Sequence, residues 1–210
     1  MYIKEKQLLF IHIPKTGGQS LTKFFYDQYG LKFKKKGDNP FLFEKNFSRT
    51  KPGPEVLVHM KWEEYVRYGY LTQQEFDSYI KISIVRNPYD RFISSFLFNK
   101  TRHRCSSPDK LIDNLPTDPM SDLYRHFMPQ CDYIFDDSDQ LTVDKIFDTK
   151  DLHEAQQWLA DKFNFTKSEI PHINKRKNKN EISLSCRVLN WIDEFYARDF
   201  ELLGYSKGYL

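Results

Sequence analysis

The sequence predicts a three-layer α/β fold, a central parallel sheet with helices on both faces. Three observations predict it. Short apolar runs at Gln7–Ile13, Glu55–His59 and Ile80–Val85 each have the length of a buried strand. Segments with apolar residues at helical spacing alternate with them. The stretches that carry the chemistry, Pro14–Ser20, His59–Lys61 and Arg86–Asp90, fall directly after those runs, and ligands of parallel sheets bind outside the carboxyl ends of the strands.

In chain order, Gln7–Ile13 (QLLFIHI) is a strand ended by Pro14. Gln19–Tyr29 is a helix with Leu21, Phe24 and Phe25 on its apolar stripe, and Gly30 stands where a helix C′ glycine belongs. Glu55–His59 (EVLVH) is a second strand. Thr72 with Glu75 forms a capping-box pattern for a helix reaching Tyr79. Ile80–Val85 (IKISIV) is a third strand. Pro88–Asn99 is a helix with proline in its first turn and Phe92, Ile93, Phe96 and Leu97 on one face. Thr101–Pro119 is polar and proline-rich and reads as a long loop. Asp144–Asp148 is a further strand, and Asp151–Phe163 and Ser185–Leu203 are helices.

The 210 residues suit one domain over 1–210. With 18 Phe, 13 Tyr and 40% hydrophobic residues the chain has material for a packed core and is not a disordered segment. A net charge of +3 accommodates an anionic ligand but is not the basic footprint of a nucleic-acid binder. The lysine-rich pieces Lys32–Lys36 and Asn174–Asn180 read first as solvated loops. No apolar run reaches the ~18 residues a membrane span needs. The chain enters a strand-like segment almost at once, which leaves no room for a signal peptide. The three cysteines, Cys105, Cys131 and Cys186, are widely spaced and form no zinc pattern, so they read as reduced thiols in a cytoplasmic, prokaryotic setting.

HIPKTGGQSL, at 12–21, lies between the first strand and the first helix. Gly17 and Gly18 let the backbone turn tightly and approach a ligand. The helix start offers unpaired N–H groups and the positive end of a dipole. Together they make an anion cradle from Pro14, Lys15, Thr16, Gly17, Gly18, Gln19 and Ser20, with Lys15 adding a charge and Ser20 a hydroxyl. A kinase-type loop needs its lysine after the glycines, as GxxxxGK[ST]; here Lys15 precedes them, and no such string occurs. In VRNPYDRFISSF, at 85–96, Arg86 ends a strand and Ser94 lies in the following helix, an arginine fork and a hydroxyl suited to a phosphate dianion. Asp90 and Arg91 read as helix-surface charges.

PKTGG after a short strand resembles the 5′-phosphosulfate loop of sulfotransferases that use PAPS (3′-phosphoadenosine-5′-phosphosulfate). The form HIPKTGG resembles the carbohydrate sulfotransferases of the heparan 2-O and chondroitin type, sulfotransferase family 2. In that group the position of Gln19 is commonly Thr. The resemblance implies a P-loop-like fold, PAPS as donor with PAP as product, no metal, and a hydroxyl acceptor on a saccharide. It implies that Arg86 and Ser94 grip the 3′-phosphate. It also implies that His59 is the catalytic base, a role a neutral imidazole suits near pH 7. Glu63 and Glu64 are the fallback, since related sulfotransferases use a carboxylate. Lys15 then meets charge developing on the transferred group. PHINKRKNK at 171–179 resembles a loop closing over the nucleotide, which implies contacts from Asn174, Lys175 and Lys177. FMPQCDYIFD at 127–136 and YARDFELLGY at 196–205 resemble further family segments, the latter with a structural role. His12 reads as orienting the loop, His103, His126 and His153 as surface or packing residues, and Lys61 as a solvated lysine. Two readings compete: a nucleotide kinase or NTPase, whose loop pattern is missing, and a non-catalytic PAP- or PAPS-binding module, which would not need both Lys15 and His59.

If Arg86 and Ser94 hold a 3′-phosphate, PAP binds without added metal and 5′-AMP binds at least about tenfold more weakly, since one charge-assisted contact contributes about 1.5–3 kcal/mol. Calorimetry giving equal affinities for the two nucleotides would remove the assignment.

Overall fold

The computed structural model describes residues 1–31, 45–100, 106–166 and 182–208. Four strands, β1 (Tyr2–Ile3), β2 (Leu8–Ile11), β3 (Ile80–Val85) and β4 (Lys145–Asp148), form one sheet in the order β1-β2-β3-β4. β1 is antiparallel to β2, while β2, β3 and β4 are parallel, with Phe10 opposite Ile82 and Ile84 opposite Phe147. The helices are α1 (Gly18–Gln28), α2 (Glu64–Arg67), α3 (Gln73–Ser78), α4 (Pro88–Lys100), α5 (Pro108–Asp113), α6 (Asp122–Phe127), α7 (Cys131–Ile134), α8 (Leu152–Phe163), α9 (Cys186–Phe195) and α10 (Ala197–Leu202).

Side chains alternate across the pleat, and both faces are covered, so the inner strand β2 reads as an unbroken apolar run, LLFI. Leu8, Phe10, Ile82, Ile84 and Phe147 pack with Leu21, Phe24 and Phe25 of α1 and Leu152 and Leu159 of α8. Leu9, Ile11 and Val85 face the other way, onto Tyr65, Phe76, Tyr133 and Ile134 from α2, α3 and α7. A third cluster joins α4 to α5, α6, α9 and α10 through Phe92, Phe96, Leu111, Phe127, Val188, Ile192 and Phe200. The three parallel strands therefore end at one edge, and the segments after β2, β3 and β4 meet there.

The local signals hold where they are local. Thr72 and Glu75 form the capping box, and Gly30 follows α1 with φ 61°. The strand expected at Glu55–His59 is absent. Val56 makes one bridge to Lys45, and Leu57–His59 is a 3-10 turn. The reason is topological: β1 occupies the edge of β2 that such a strand would need. Ser185–Leu203 is two helices, broken at Tyr196, whose hydroxyl donates to Phe127 O at 2.6 Å. The Thr101–Pro119 stretch contains α5, which Ser107 caps and Pro108 opens. Arg91 is not a surface charge: it is buried, with Nε donating to Pro14 O at 3.1 Å and Nη1 to Met128 O at 2.9 Å. Lys61 is paired with Glu63 at 2.8 Å. Asp90 and His153 are exposed, and Cys131 and Cys186 are free thiols. Lys32–Lys36, His103, Cys105, Asn174, Lys175 and Lys177 lie outside the described residues. Among the described residues no helix is long and apolar enough to cross a membrane.

A buried ion pair fixes the turn before α2. Arg125 donates from Nη1 to Glu64 Oε2 at 2.8 Å and from Nη2 to Glu64 Oε1 at 2.6 Å, with both side chains almost fully buried. The same guanidinium donates to His59 O at 2.7 Å and Pro119 O at 2.7 Å, and Glu64 also accepts Lys61 N–H at 2.8 Å. Every hydrogen-bonding group of this pair points at the 59–64 turn or at the chain entering α6. Removing one partner strands a buried charge, so Glu64→Ala is expected to lower unfolding free energy by about 3–5 kcal/mol. A denaturant titration showing a loss below about 1 kcal/mol would put the pair in the class of surface ion pairs.

Candidate active site

The loop after β2 has an unusual backbone. Lys15 has φ 70° and Gly17 φ 93°, both in the left-handed region, so successive peptide planes turn over. Four consecutive carbonyls are then taken up by side-chain donors. Ile13 O accepts from Thr16 Oγ1 at 2.9 Å and Pro14 O from Arg91 Nε at 3.1 Å. Lys15 O accepts from Arg86 Nη1 at 3.3 Å and Thr16 O from Thr149 Oγ1 at 2.5 Å. Thr149 Oγ1 also lies 2.9 Å from Val85 O, tying the loop to the end of β3. With these carbonyls engaged behind the loop, the N–H groups of Thr16, Gly17 and Gly18 meet no acceptor among the described residues. That is the donor side of an anion cradle, continued by the start of α1 with Gln19 and buried Ser20.

Gly18 has a steric reason besides. A Cβ there would sit 2.2 Å from His12 Nε2 and Cδ2. His12 is buried against the loop, stacked on Phe10 with ring centroids 5.3 Å apart, and its Nδ1 has no partner. It therefore supports the loop from beneath.

His59 reaches this edge from its 3-10 turn. Its ring meets His12 edge-on at 5.4 Å and His126 edge-on at 5.2 Å. His59 Nδ1 lies 2.9 Å from Asp122 Oδ1. Against a carboxylate, Nδ1 carries the hydrogen, which leaves the lone pair on Nε2. Asp122 is itself fixed: its N–H donates to Glu55 Oε2 at 2.8 Å, and its carbonyl accepts from His126 Nδ1 at 2.8 Å. The donor atoms of His59, Asp122 and His126 lie within 4.8 Å of one another, a spacing compatible with a metal ligand set, but each Nδ1 is spent on Asp122. Phe98 stacks on His126 at 5.0 Å, and Lys15 Nζ sits 4.2 Å above the Phe98 ring. Burial pushes His12 well below the usual imidazole value, with the positive charge His59 and Lys15 would carry acting in the same direction. Burial pushes His126 down to about 3 against the opposing pull of Asp122.

The structure thus brings together Pro14–Gly18, Arg86 and His59. Ser94 is half-buried in α4. Glu64 is locked to Arg125, and Glu63 pairs with Lys61. Sequence reasoning missed Asp122, Arg125, Thr149, Phe98 and the buried role of Arg91. Only Arg91 had a signal: with Pro88, Phe92, Ser95 and Asn99 it occupies one buried helical stripe.

The fold and the loop define a class, P-loop-like α/β proteins with a glycine-containing strand–loop–helix turn at the carboxyl edge of a parallel sheet. Within that class the chain belongs to the sulfotransferase family, whose family-2 model matches residues 1–206. Sulfuryl transfer is accordingly its general activity. Neither the curated proteins nor the solved structures give a significant match to the chain.

Two measurements check this geometry. Gly18→Ala is expected to destabilise by about 1–3 kcal/mol through overpacking, and His12→Ala in the same chain to remove most of that cost. Additive losses in the double variant would mean that His12 is not what Gly18 accommodates. Second, an unfolded histidine titrates near 6.5, whereas His12 and His126 titrate lower when folded. Between about pH 6.5 and 5 the unfolded chain then binds protons that the folded chain does not, so stability falls with falling pH by up to about 1.4 kcal/mol per unit for each histidine. A stability flat across that interval would contradict neutral burial.

Proposed function

We propose that the protein transfers the sulfuryl group of PAPS to a hydroxyl of a carbohydrate acceptor, by in-line displacement with His59 as general base. The observation that carries this reading is the juxtaposition of the loop, with its carbonyls tied back at residues 13–16, and the His59–Asp122 pair, through the ring contact with His12. Family membership supports the transferred group, and the HIPKTGG form supports the saccharide acceptor. A cytoplasmic setting accords with this reading.

In this mechanism the acceptor oxygen attacks sulfur while His59 Nε2 takes its proton. A new O–S bond forms opposite the bond from sulfur to the bridging oxygen of the 5′-phosphate. That bond breaks, and PAP leaves with the electron pair. Asp122 holds the Nδ1–H tautomer and stabilises the imidazolium as it forms. Lys15 and the loop N–H groups stabilise the negative charge growing on the sulfuryl and bridging oxygens. Arg86 and Ser94 hold the 3′-phosphate and so fix the nucleotide's orientation, with Asn174, Lys175 and Lys177 as further nucleotide contacts. No step is routed through a metal.

Mass spectrometry of candidate saccharides after incubation with PAPS tests the transfer itself; a mass gain of one sulfuryl group is the expected product. His59→Ala is expected to keep PAP affinity and lower turnover by about 10²–10⁴-fold. Asp122→Asn is expected to lower turnover too, because an amide can favour the wrong tautomer. Lys15→Ala should lower turnover, whereas Arg86→Ala should chiefly weaken PAPS binding. Near-normal turnover in the His59 variant at equal folded protein would place the base elsewhere, and Glu63 would be next, since Glu64 is committed to Arg125.

A further inference from the structure

Gln130, in the Pro-Gln segment before α7, is fully buried and uses its side-chain amide as if it were a neighbouring strand. Its Oε1 accepts Arg86 N–H at 2.9 Å, and its Nε2 donates to Arg86 O at 2.8 Å. Both main-chain groups of Arg86 are thereby fixed one residue beyond the end of β3, where the sheet ladder no longer holds them. Gln130 is held in turn by Asp199 of α10. The Asp199 carboxylate accepts from Gln130 Nε2 at 3.1 Å, from Gln130 N–H at 2.9 Å and from Cys131 N–H at 2.9 Å. Asp199 is also fully buried, so its geometry is set by these donors rather than by water.

We propose that Gln130 and Asp199 are positioning residues for Arg86, fixing the peptide from which its guanidinium leaves and thereby the grip on the donor's 3′-phosphate. This rests on the assignment of Arg86 to that phosphate. The chemistry favours it. A guanidinium on a long flexible stem binds a dianion well only if its root is fixed, because a fork displaced by an ångström loses a bidentate contact. The Lys15 carbonyl constrains Arg86 at the Nη1 end, and Gln130 constrains it at the backbone. Two segments far apart in sequence, around 130 and 199, thus act on one phosphate contact without touching it.

The test compares PAP with 5′-AMP by calorimetry on wild type, Gln130→Met, Arg86→Ala and the double variant. Gln130→Met keeps an unbranched side chain of similar size and removes both hydrogen bonds to Arg86. It is expected to weaken PAP by about tenfold and AMP clearly less, because the 3′-phosphate contact rests on Arg86, whereas the loop keeps its braces from Thr16, Arg91 and Thr149. In the Arg86→Ala background it should weaken PAP no further. If Gln130→Met does not yield folded protein, Asp199→Asn, which keeps the shape and turns one of the acceptors holding Gln130 and Cys131 into a donor, serves in its place with the same expectation. Equal losses for PAP and AMP, or additive losses in the double variant, would overturn the proposal and leave Gln130 a general packing residue. An unchanged PAP-to-AMP ratio in Arg86→Ala alone would overturn the 3′-phosphate assignment, and this proposal with it.

Discussion

A peptide that points its N–H toward a ligand points its carbonyl the other way, and a carbonyl facing the protein interior needs a donor. The rest of this site depends on that constraint. The loop after β2 turns a run of N–H groups toward one side, and four carbonyls, from Ile13 to Thr16, must then be satisfied behind it. The donors come from four places: Thr16 itself, Arg86 just past β3, Arg91 of α4 and Thr149 just past β4. The parallel order of β2, β3 and β4 makes this possible, because it delivers three strand ends to one edge. Arg91 shows the cost. It is a buried guanidinium with no carboxylate pairing it among the described residues, and its Nη2 meets no acceptor. A side chain so placed is kept for what its other nitrogens do, holding Pro14 and Met128 by their carbonyls.

The same logic of committed groups decides which residues around His59 are available for chemistry. Glu64 is spent on Arg125, and Glu63 is paired with Lys61. His12 and His126 are packed into places where burial keeps the imidazole neutral. His59 stands between these two neutral rings and is the imidazole joined side chain to side chain with a carboxylate at 2.9 Å.

Much of the fold was legible because its signals are short-ranged. The apolar runs of β2 and β3, the Thr72–Glu75 cap, the glycine after α1 and the strand–loop–helix at 12–21 each lie within one element. What was not legible depends on partners distant in the chain. EVLVH has the composition of a strand, but its edge was taken by Tyr2–Ile3, too short a strand to announce itself. Asp122 stands 63 residues from His59, and Gln130 stands 44 from Arg86; nothing in either neighbourhood marks the pairing. Arg91 looked like a surface charge because its residue type outweighed its place on the buried stripe of α4.

The back-side bracing of the loop also bears on how the protein comes into being. The loop itself is complete by Ser20, yet its braces arrive at Arg86, Arg91 and Thr149, and the chain that holds Arg86 closes only at Asp199. Contacts of such long sequence separation carry a loop-closure entropy cost, which slows their formation. During synthesis the nascent chain therefore carries an unbraced loop until the segments around residues 86, 91 and 149 have been made. In this architecture the shape of the loop is a property of distant segments as well as of the loop's own sequence.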